Sequence, residues 1–268
     1  MRGYVGCSDI IIVCIAQPAS MMRQFENIAD ATVRIEYESS RGSGFHFIDP
    51  EFVVTNHHVV EGVEASSSRA VAVSDRGHKV PLDLLDYSST GQHDFAIFKA
   101  AGTLPPTRKA LSPNAPAEFE RGEEVAFAGF PHGVDDLLVQ EAVVSGLVDP
   151  DHFYIDGSVN GGNSGGPIVN LQDGSVIGIV TDRRFLGKQD LSDLQDAAED
   201  IRQHCKSIQG RGSVELMGID FGAFAQLMAE GMMVIQQALE ANANTGIGIG
   251  YSISFAEAKF NQINTGET

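Results

Sequence analysis

The sequence predicts an all-β protein made of two sets of antiparallel strands, with one helical insertion late in the second set. Three observations predict it. Short runs with period-two alternation recur from residue 31 to residue 181. A stretch at 102–123, carrying Pro105, Pro106, Pro113 and Pro116, divides those runs into two groups. After residue 190 the apolar spacing becomes helical and stays so to about residue 241.

Residues 31–37 alternate cleanly and open the first set. Gly42-Ser43-Gly44 reads as a turn or bulge. Residues 45–48 and 52–55 read as a hairpin over Asp49-Pro50. Residues 69–74 and 78–85 make another pair around Arg76-Gly77, and 94–100 completes six strands. The second set runs through 125–130, 137–148, 152–156, 167–170 and 176–181. Residues 190–208 carry Leu191, Leu194, Ala197, Ala198, Ile201 and Cys205 at helical spacing. A second helix over 221–241 is rich in Ala, Met and Gln and stops at Asn242-Ala243-Asn244-Thr245-Gly246. A strand at 247–255 and a short helix from Ala256 close the chain.

Composition sets bounds on function. At 268 residues the chain can bury a sizeable core, and 43% hydrophobic with 20% charged residues is an ordinary globular balance. The formal charge of −18 argues against a nucleic-acid backbone as partner. The apolar run at 10–16 is too short to span a bilayer. Cys7, Cys14 and Cys205 do not form a disulfide framework, which favours a reducing, cytoplasmic setting. The alternative is export, with residues 10–16 as part of a signal-like leader and Ala19 as a crude cleavage mark. No repeat, metal-ligand spacing or nucleotide-binding loop is present, so no metal and no cofactor is expected.

One stretch names a chemistry. Gly161-Gly162-Asn163-Ser164-Gly165-Gly166-Pro167 sets a serine on a glycine-rich turn entering a strand. Such a turn exposes the hydroxyl and lets a substrate carbonyl approach backbone N–H groups. Upstream, Thr55-Asn56-His57-His58-Val59-Val60 supplies an imidazole base at the end of an apolar strand. Between them, Asp94 opens an apolar strand, where a carboxylate can fix the imidazole tautomer. His57 is the rival base; His93 should face away from Asp94; Asp83 and Asp86 are rival acids, and Ser145 and Ser158 are rival nucleophiles without a glycine setting.

These blocks, in the order His, Asp, Ser, resemble the trypsin-fold serine proteases, most closely their HtrA/Deg branch. Gly42-Ser43-Gly44-Phe45, Thr55-Asn56-His57-His58-Val59, Asp94-Phe95-Ala96-Ile97 and Gly162-Asn163-Ser164-Gly165-Gly166-Pro167 carry the resemblance, and Gly129-Phe130-Pro131 and Val143-Val144-Ser145-Gly146 extend it. It covers roughly residues 30–183. It implies two six-stranded antiparallel β-barrels: 25–110 with the base and carboxylate, 111–123 as linker, and 124–268 with the nucleophile. Residues 1–24 would be an extension or leader. It also implies a serine endopeptidase acting on protein or peptide substrates through His58, Asp94 and Ser164. Gly162, Asn163 and Ser164 would form the oxyanion hole, with the N–H groups of Gly162 and Ser164 holding the charge. Asn163 replaces the aspartate that trypsin-like zymogens use to bind a newly cut N-terminus, so activation by such cleavage is not expected. The chain ends before a PDZ domain of those relatives would fit, so PDZ regulation is not expected.

The specificity pocket is expected between residues 156–161 and the strand carrying Ile179, Val180 and Thr181. Ser158 stands where trypsin-like relatives carry the acid that selects Lys or Arg, which points to small or medium apolar side chains before the cut. Asp156 or Asp182 reaching in would restore a basic preference. The helical insertion at 190–242 departs from the family pattern. It is either barrel packing or a surface for a regulatory partner; its Met217, Met228, Met232 and Met233 suit both. A catalytically silent trypsin-fold module acting through that insertion is the alternative function.

Overall fold

A computed structural model of the chain describes residues 19–105, 107–113, 119–183, 199–201, 203–204, 215–216, 219–242 and 246–265. Expectations for residues 1–18, most of 190–208, Pro106, Pro116, Met217 and the cysteines fall outside them. Two closed antiparallel barrels of six strands each form the body. The first is β1 (Thr32–Tyr37), β2 (Ser40–Phe47), β3 (Asp49–Thr55), β4 (Ala70–Val73), β5 (Lys79–Ser88) and β6 (Phe95–Ala100), in the order β1-β2-β3-β6-β5-β4. The second contains β7 (Glu124–Gly129), β8 (Leu138–Leu147), β9 (His152–Asp156), β10 (Pro167–Asn170) and β11 (Val176–Arg183). It is closed by β14 (Ile247–Ser252), in the order β10-β11-β14-β9-β8-β7. Closure removes sheet edges, which explains why so many short strands make a stable body.

Alternation fills the interiors. Val33, Ile35, Val53, Leu82, Ala96 and Phe98 point into the first barrel. Val125, Phe127, Val144, Phe153, Ile155 and Val180 fill the second. A third cluster lies between the barrels, where Phe45, Phe47, Phe95 and Ile97 meet Ala126, Val169, Val176 and Ile179. Each fully buried side chain of this size stabilises by about 1.5–3 kcal/mol, so the junction is held as firmly as the barrels.

Three expectations change. An unforeseen helix, α1 (Ala19–Ala31), precedes β1 and buries Ile28 and Ala31 in the junction. Gly42-Ser43-Gly44 is not a turn but the middle of β2, with Gly44 opposite both Val33 and Thr55. The glycines serve close packing: a Cβ on Gly42 would stand 2.6 Å from Val59. The β2–β3 turn is tighter than foreseen, centred on Ile48 at φ 62°, so Asp49 and Pro50 already belong to β3.

Late in the chain, between β11 and β14, a small hairpin of β12 (Glu215–Leu216) and β13 (Ile219–Asp220) leads into α2 (Phe221–Asn242). Asp220 caps that helix, its carboxylate accepting the N–H groups of Gly222 (2.8 Å) and Ala223 (3.0 Å). Helix α3 (Ser254–Thr265) packs Ala256 and Phe260 into the junction. Among the described residues, no helix is long and apolar enough to cross a membrane.

His46 supplies a pH lever on stability. It is buried on β2 with no partner for Nδ1 among the described residues. Burial first, and then the nearby Arg108 guanidinium, pull its pKa down to about 4. Arg108 is itself fixed, donating to the Asp30 carbonyl at the end of α1 (2.7 Å) and to Asp75 (3.3 Å). The unfolded chain therefore binds a proton near pH 6.5 that the folded chain refuses until about pH 4. This contribution is complete above pH 6.5 and is lost as pH falls towards 4. It is on the order of 3 kcal/mol. Urea midpoints at pH 7 and pH 4.5 are expected to differ more for the wild type than for His46→Gln; equal differences would contradict this.

Candidate active site

The barrel registers bring the sequence blocks together. Strands β3 and β6 are paired, with Thr55 opposite Ala96. Residues just after β3 and just before β6 therefore share one barrel end. His58 lies in a short 3-10 turn after β3, and Asp94 immediately precedes β6. His58 Nδ1 stands 2.7 Å from Asp94 Oδ2, and the His58 backbone N–H donates to Asp94 Oδ1 at 3.0 Å. One carboxylate thus holds both the ring and the backbone of the same histidine. The Asp94 side chain is 2% exposed and that of His58 32%, so the acid is shielded while the imidazole opens to the cleft. Asp94 adopts φ 46°, a left-handed conformation that Asp tolerates better than most residues. Its N–H is tied to the Ser89 carbonyl at 3.1 Å.

Ser164 comes from the other barrel, on the turn before β10. Two glycines there are required. Gly162 has φ 95°, and a Cβ on it would stand 2.3 Å from the Phe130 carbonyl oxygen. Gly165 has φ 89°, and its Cβ would meet the Ser43 carbonyl oxygen at 2.1 Å. The turn is bolted to the first barrel by Ser43. Its N–H donates to the Ser164 carbonyl (2.8 Å), and its hydroxyl donates to the Gly162 carbonyl (2.6 Å) while accepting the Phe130 N–H (2.9 Å). Ser43 was legible only as part of a motif; its position across the junction is what gives it this role.

The turn also leaves donors open. The Gly161 carbonyl accepts the His132 N–H at 2.7 Å. A planar trans peptide then turns the Gly162 N–H the opposite way. Among the described residues, neither the Gly162 nor the Ser164 N–H has a partner. Asn163 N–H is engaged by the Asn160 carbonyl at 3.0 Å. Its side-chain amide is buried with no partner among the described residues.

His58, Asp94 and Ser164 line one open cleft of about 430 Å³ with Thr90, Thr181, Ile249 and Tyr251. The Ser164 hydroxyl donates to the Thr181 carbonyl at 3.0 Å. Asn56 ties the two walls: its amide donates to the Asp94 carbonyl (2.8 Å) and to Thr181 Oγ1 (3.1 Å). Of the residues expected to shape the pocket, Thr181 lines the cleft. Ile179 and Val180 are buried in the core clusters, and Ser158 is exposed outside the lining. Ile249 and Tyr251 were missed because they lie on β14, which the chain reaches only after the insertion; their strand pairing, Tyr251 opposite Ile179, carries them in.

The rivals lie elsewhere. His57 is buried outside the cleft, stacked on Tyr87 and facing Thr90 and Glu64. His93 stacks on Phe255. Asp83 pairs with Arg69 and Asp86 with Lys259.

A family model, the trypsin-like peptidase domain, matches residues 42–179, just over half of the chain. The chain belongs to the trypsin-like peptidase family. The match spans all the blocks described: Ser43, His58, Asp94 and Ser164 fall within it. The chain is 33% identical over 155 residues to a probable periplasmic serine endoprotease, DegP-like, from Halomonas elongata, covering 54% of this chain and 30% of that one. It is 35% identical over 181 residues to the serine protease HTRA3 of Rattus norvegicus, covering 58% and 38%. The chain thus spans about a third of the length of the relatives it matches. The crystal structure of the serine endoprotease from Yersinia pestis aligns with a TM-score of 0.52 at 23% identity, over 62% of this chain and 59% of that one, which shows a shared fold.

Proposed function

We propose that this chain is a serine endopeptidase that cleaves protein substrates through an acyl-enzyme. The observation that carries the reading is the double grip of Asp94 on His58, 2.7 and 3.0 Å, in the same cleft as Ser164. With Nδ1–H held by the carboxylate, Nε2 is left as the proton acceptor. Ser164 exchanges its bond to the Thr181 carbonyl for one to Nε2 as substrate enters; such bonds are commonly loose before substrate binds. The hydroxyl oxygen attacks the scissile carbonyl, His58 takes the proton, and the carbonyl oxygen becomes an oxyanion. The open N–H groups of Gly162 and Ser164 receive that charge. His58 then returns the proton to the leaving amine. Water repeats the sequence on the ester and frees Ser164. In this reading residues 25–110 supply base and carboxylate, and 124–268 supply nucleophile and oxyanion donors, joined by 111–123. A silent binding module has less support, because such a module has no need of a shielded carboxylate oriented on an exposed imidazole.

Among the described residues the cleft wall beyond the triad is Thr90, Thr181, Ile249 and Tyr251, none of them charged; the Asp182 side chain lies outside that description. This wall favours small or medium apolar side chains before the scissile bond. Asp156, a rival source of basic preference, is exposed outside this lining. Profiling with a peptide library is expected to give cleavage after residues such as Val, Ala or Leu, with Lys and Arg at least tenfold poorer, as expected for a charge without a partner. Dominant cleavage after Lys or Arg would contradict this wall as the determinant.

The insertion joins β11 to β14, and both strands supply cleft residues, Thr181 and Ile249 with Tyr251. A regulatory partner held there acts on the pocket by the shortest route. The periplasmic designation of the Halomonas relative supports the export alternative over a cytoplasmic setting.

A further inference from the structure

His57 is the buried histidine beside the triad that the mechanism does not use. Its side chain is 5% exposed and lies flat on Tyr87, with ring centroids 4.8 Å apart and planes 16° from parallel. Its Nδ1 stands 3.3 Å from Thr90 Oγ1, and its Nε2 stands 3.5 Å from Glu64 Oε2. The two contacts reach different segments. Glu64 lies on the short 3-10 turn Val63–Ala65, and Thr90 lies on the turn between β5 and β6. The base of that second turn is closed by the Ser89 carbonyl, which accepts the N–H groups of Gln92 (2.8 Å) and Asp94 (3.1 Å). Among the described residues the Thr90 hydroxyl bonds to His57 alone. Thr90 is exposed and lines the cleft with His58, Asp94 and Ser164.

The neighbours decide which ring nitrogen carries the hydrogen. A carboxylate only accepts. In the neutral imidazole the nitrogen facing Glu64 therefore carries the hydrogen, and Nδ1 keeps its lone pair. A bond between that lone pair and Thr90 requires the hydroxyl to donate. The one hydroxyl hydrogen is then directed at His57, and the cleft receives an oxygen with free lone pairs. The opposite tautomer would set a lone pair of Nε2 against the carboxylate of Glu64 inside the protein, where polar groups are ordinarily matched.

We propose, resting on the endopeptidase reading, that Thr90 is a specificity-determining residue, its hydroxyl held by His57 and Glu64 as a hydrogen-bond acceptor for a donor side chain of the substrate. An extended substrate turns successive side chains to opposite sides. In that reading the residue before the scissile bond faces the second-barrel wall of Thr181, Ile249 and Tyr251. The residue preceding it then faces the first barrel, where Thr90 stands. Serine, threonine, asparagine and glutamine offer the donor there. A side chain that only accepts meets lone pairs. His57, buried outside the cleft, is a positioning residue that acts through Thr90.

The test uses the full chain and peptides that differ only at that substrate position, competing in one reaction at pH 8, where imidazole is ordinarily neutral. Threonine is expected to exceed its isostere valine by about fivefold in kcat/KM, the size of one partly exposed hydrogen bond. O-methylthreonine, which accepts and cannot donate, should be no better than its isostere isoleucine. Thr90→Val should bring the threonine-to-valine ratio to unity. His57→Phe keeps a ring on Tyr87 and frees the hydroxyl to turn, so O-methylthreonine should overtake isoleucine. Two-bond ¹H–¹⁵N spectra at pH 8 should show a neutral histidine with its hydrogen on Nε2, whose Nδ1 resonance moves in Thr90→Val. That readout holds even where His57→Phe does not fold. No preference for threonine in a chain that takes a fluorophosphonate label, a ratio untouched by Thr90→Val, a preference confined to the residue after the scissile bond, or a hydrogen on Nδ1 of that histidine would each overturn the proposal and leave the endopeptidase reading standing. A chain that neither cleaves peptides nor takes the label would strike that reading, and this role of Thr90 with it.

Discussion

Ser164→Ala is expected to lose peptide cleavage by about 10⁶-fold, the size of effect that follows removal of a triad nucleophile. The fold should not follow. Among the described residues the hydroxyl makes one hydrogen bond, to the Thr181 carbonyl. Losing it costs about 1 kcal/mol. The turn remains bolted through Ser43, whose bonds go to the backbone of Ser164 and Gly162 and survive the change. Active-site titration and denaturant melts on the same preparation separate the two effects. Cleavage within tenfold of wild type would remove Ser164 from the chemistry.

The second large effect is expected at Asp94→Asn, and here the geometry dictates the reason. Asparagine suits the left-handed φ of 46° at this position, so the backbone is not strained. Its carbonyl oxygen keeps the acceptor role for the His58 backbone N–H, now filled by Oδ1 at 3.0 Å. Its amide then sits where Oδ2 was, 2.7 Å from Nδ1, and presents a hydrogen. Nδ1 must accept, the ring proton moves to Nε2, and the base facing Ser164 is blocked. A loss on the order of 10⁴-fold follows from this wrong tautomer. The activity should recover partly at high pH, where hydroxide substitutes for the missing base. A variant only mildly impaired at pH 7 would mean that Asp94 does not set the tautomer.

Much of this was legible in the chain. The strands announced themselves because barrel closure buries alternate residues, and β9 and β10 match their sequence limits. His58, Asp94 and Ser164 were named because each sits at a junction of an apolar strand and a polar or glycine-rich corner. What escaped depends on contacts between distant segments. α1 has Phe25 and Ile28 at helical spacing, but only the junction cluster reveals why that face is needed. Gly42 and Gly44 looked like turn residues, since glycine marks both turns and close approaches. The local sequence carries no sign that Val59 and Ile35 press on them. Ile179 and Val180 were assigned to the pocket from their place on a strand, yet their side chains enter the core clusters and Thr181 reaches the cleft. Ile249 and Tyr251 line it from a strand beyond the insertion, and only the closing of the second barrel brings them there.

The covalent step at Ser164 is the centre of the account. It is tested most directly by intact-mass and peptide-mass measurement after exposure to a fluorophosphonate. The expected result is one adduct per chain, located on Ser164, formed rapidly at pH 8, and absent from both Ser164→Ala and His58→Ala. No adduct on the folded wild-type chain, or an adduct formed equally well without His58, would contradict it.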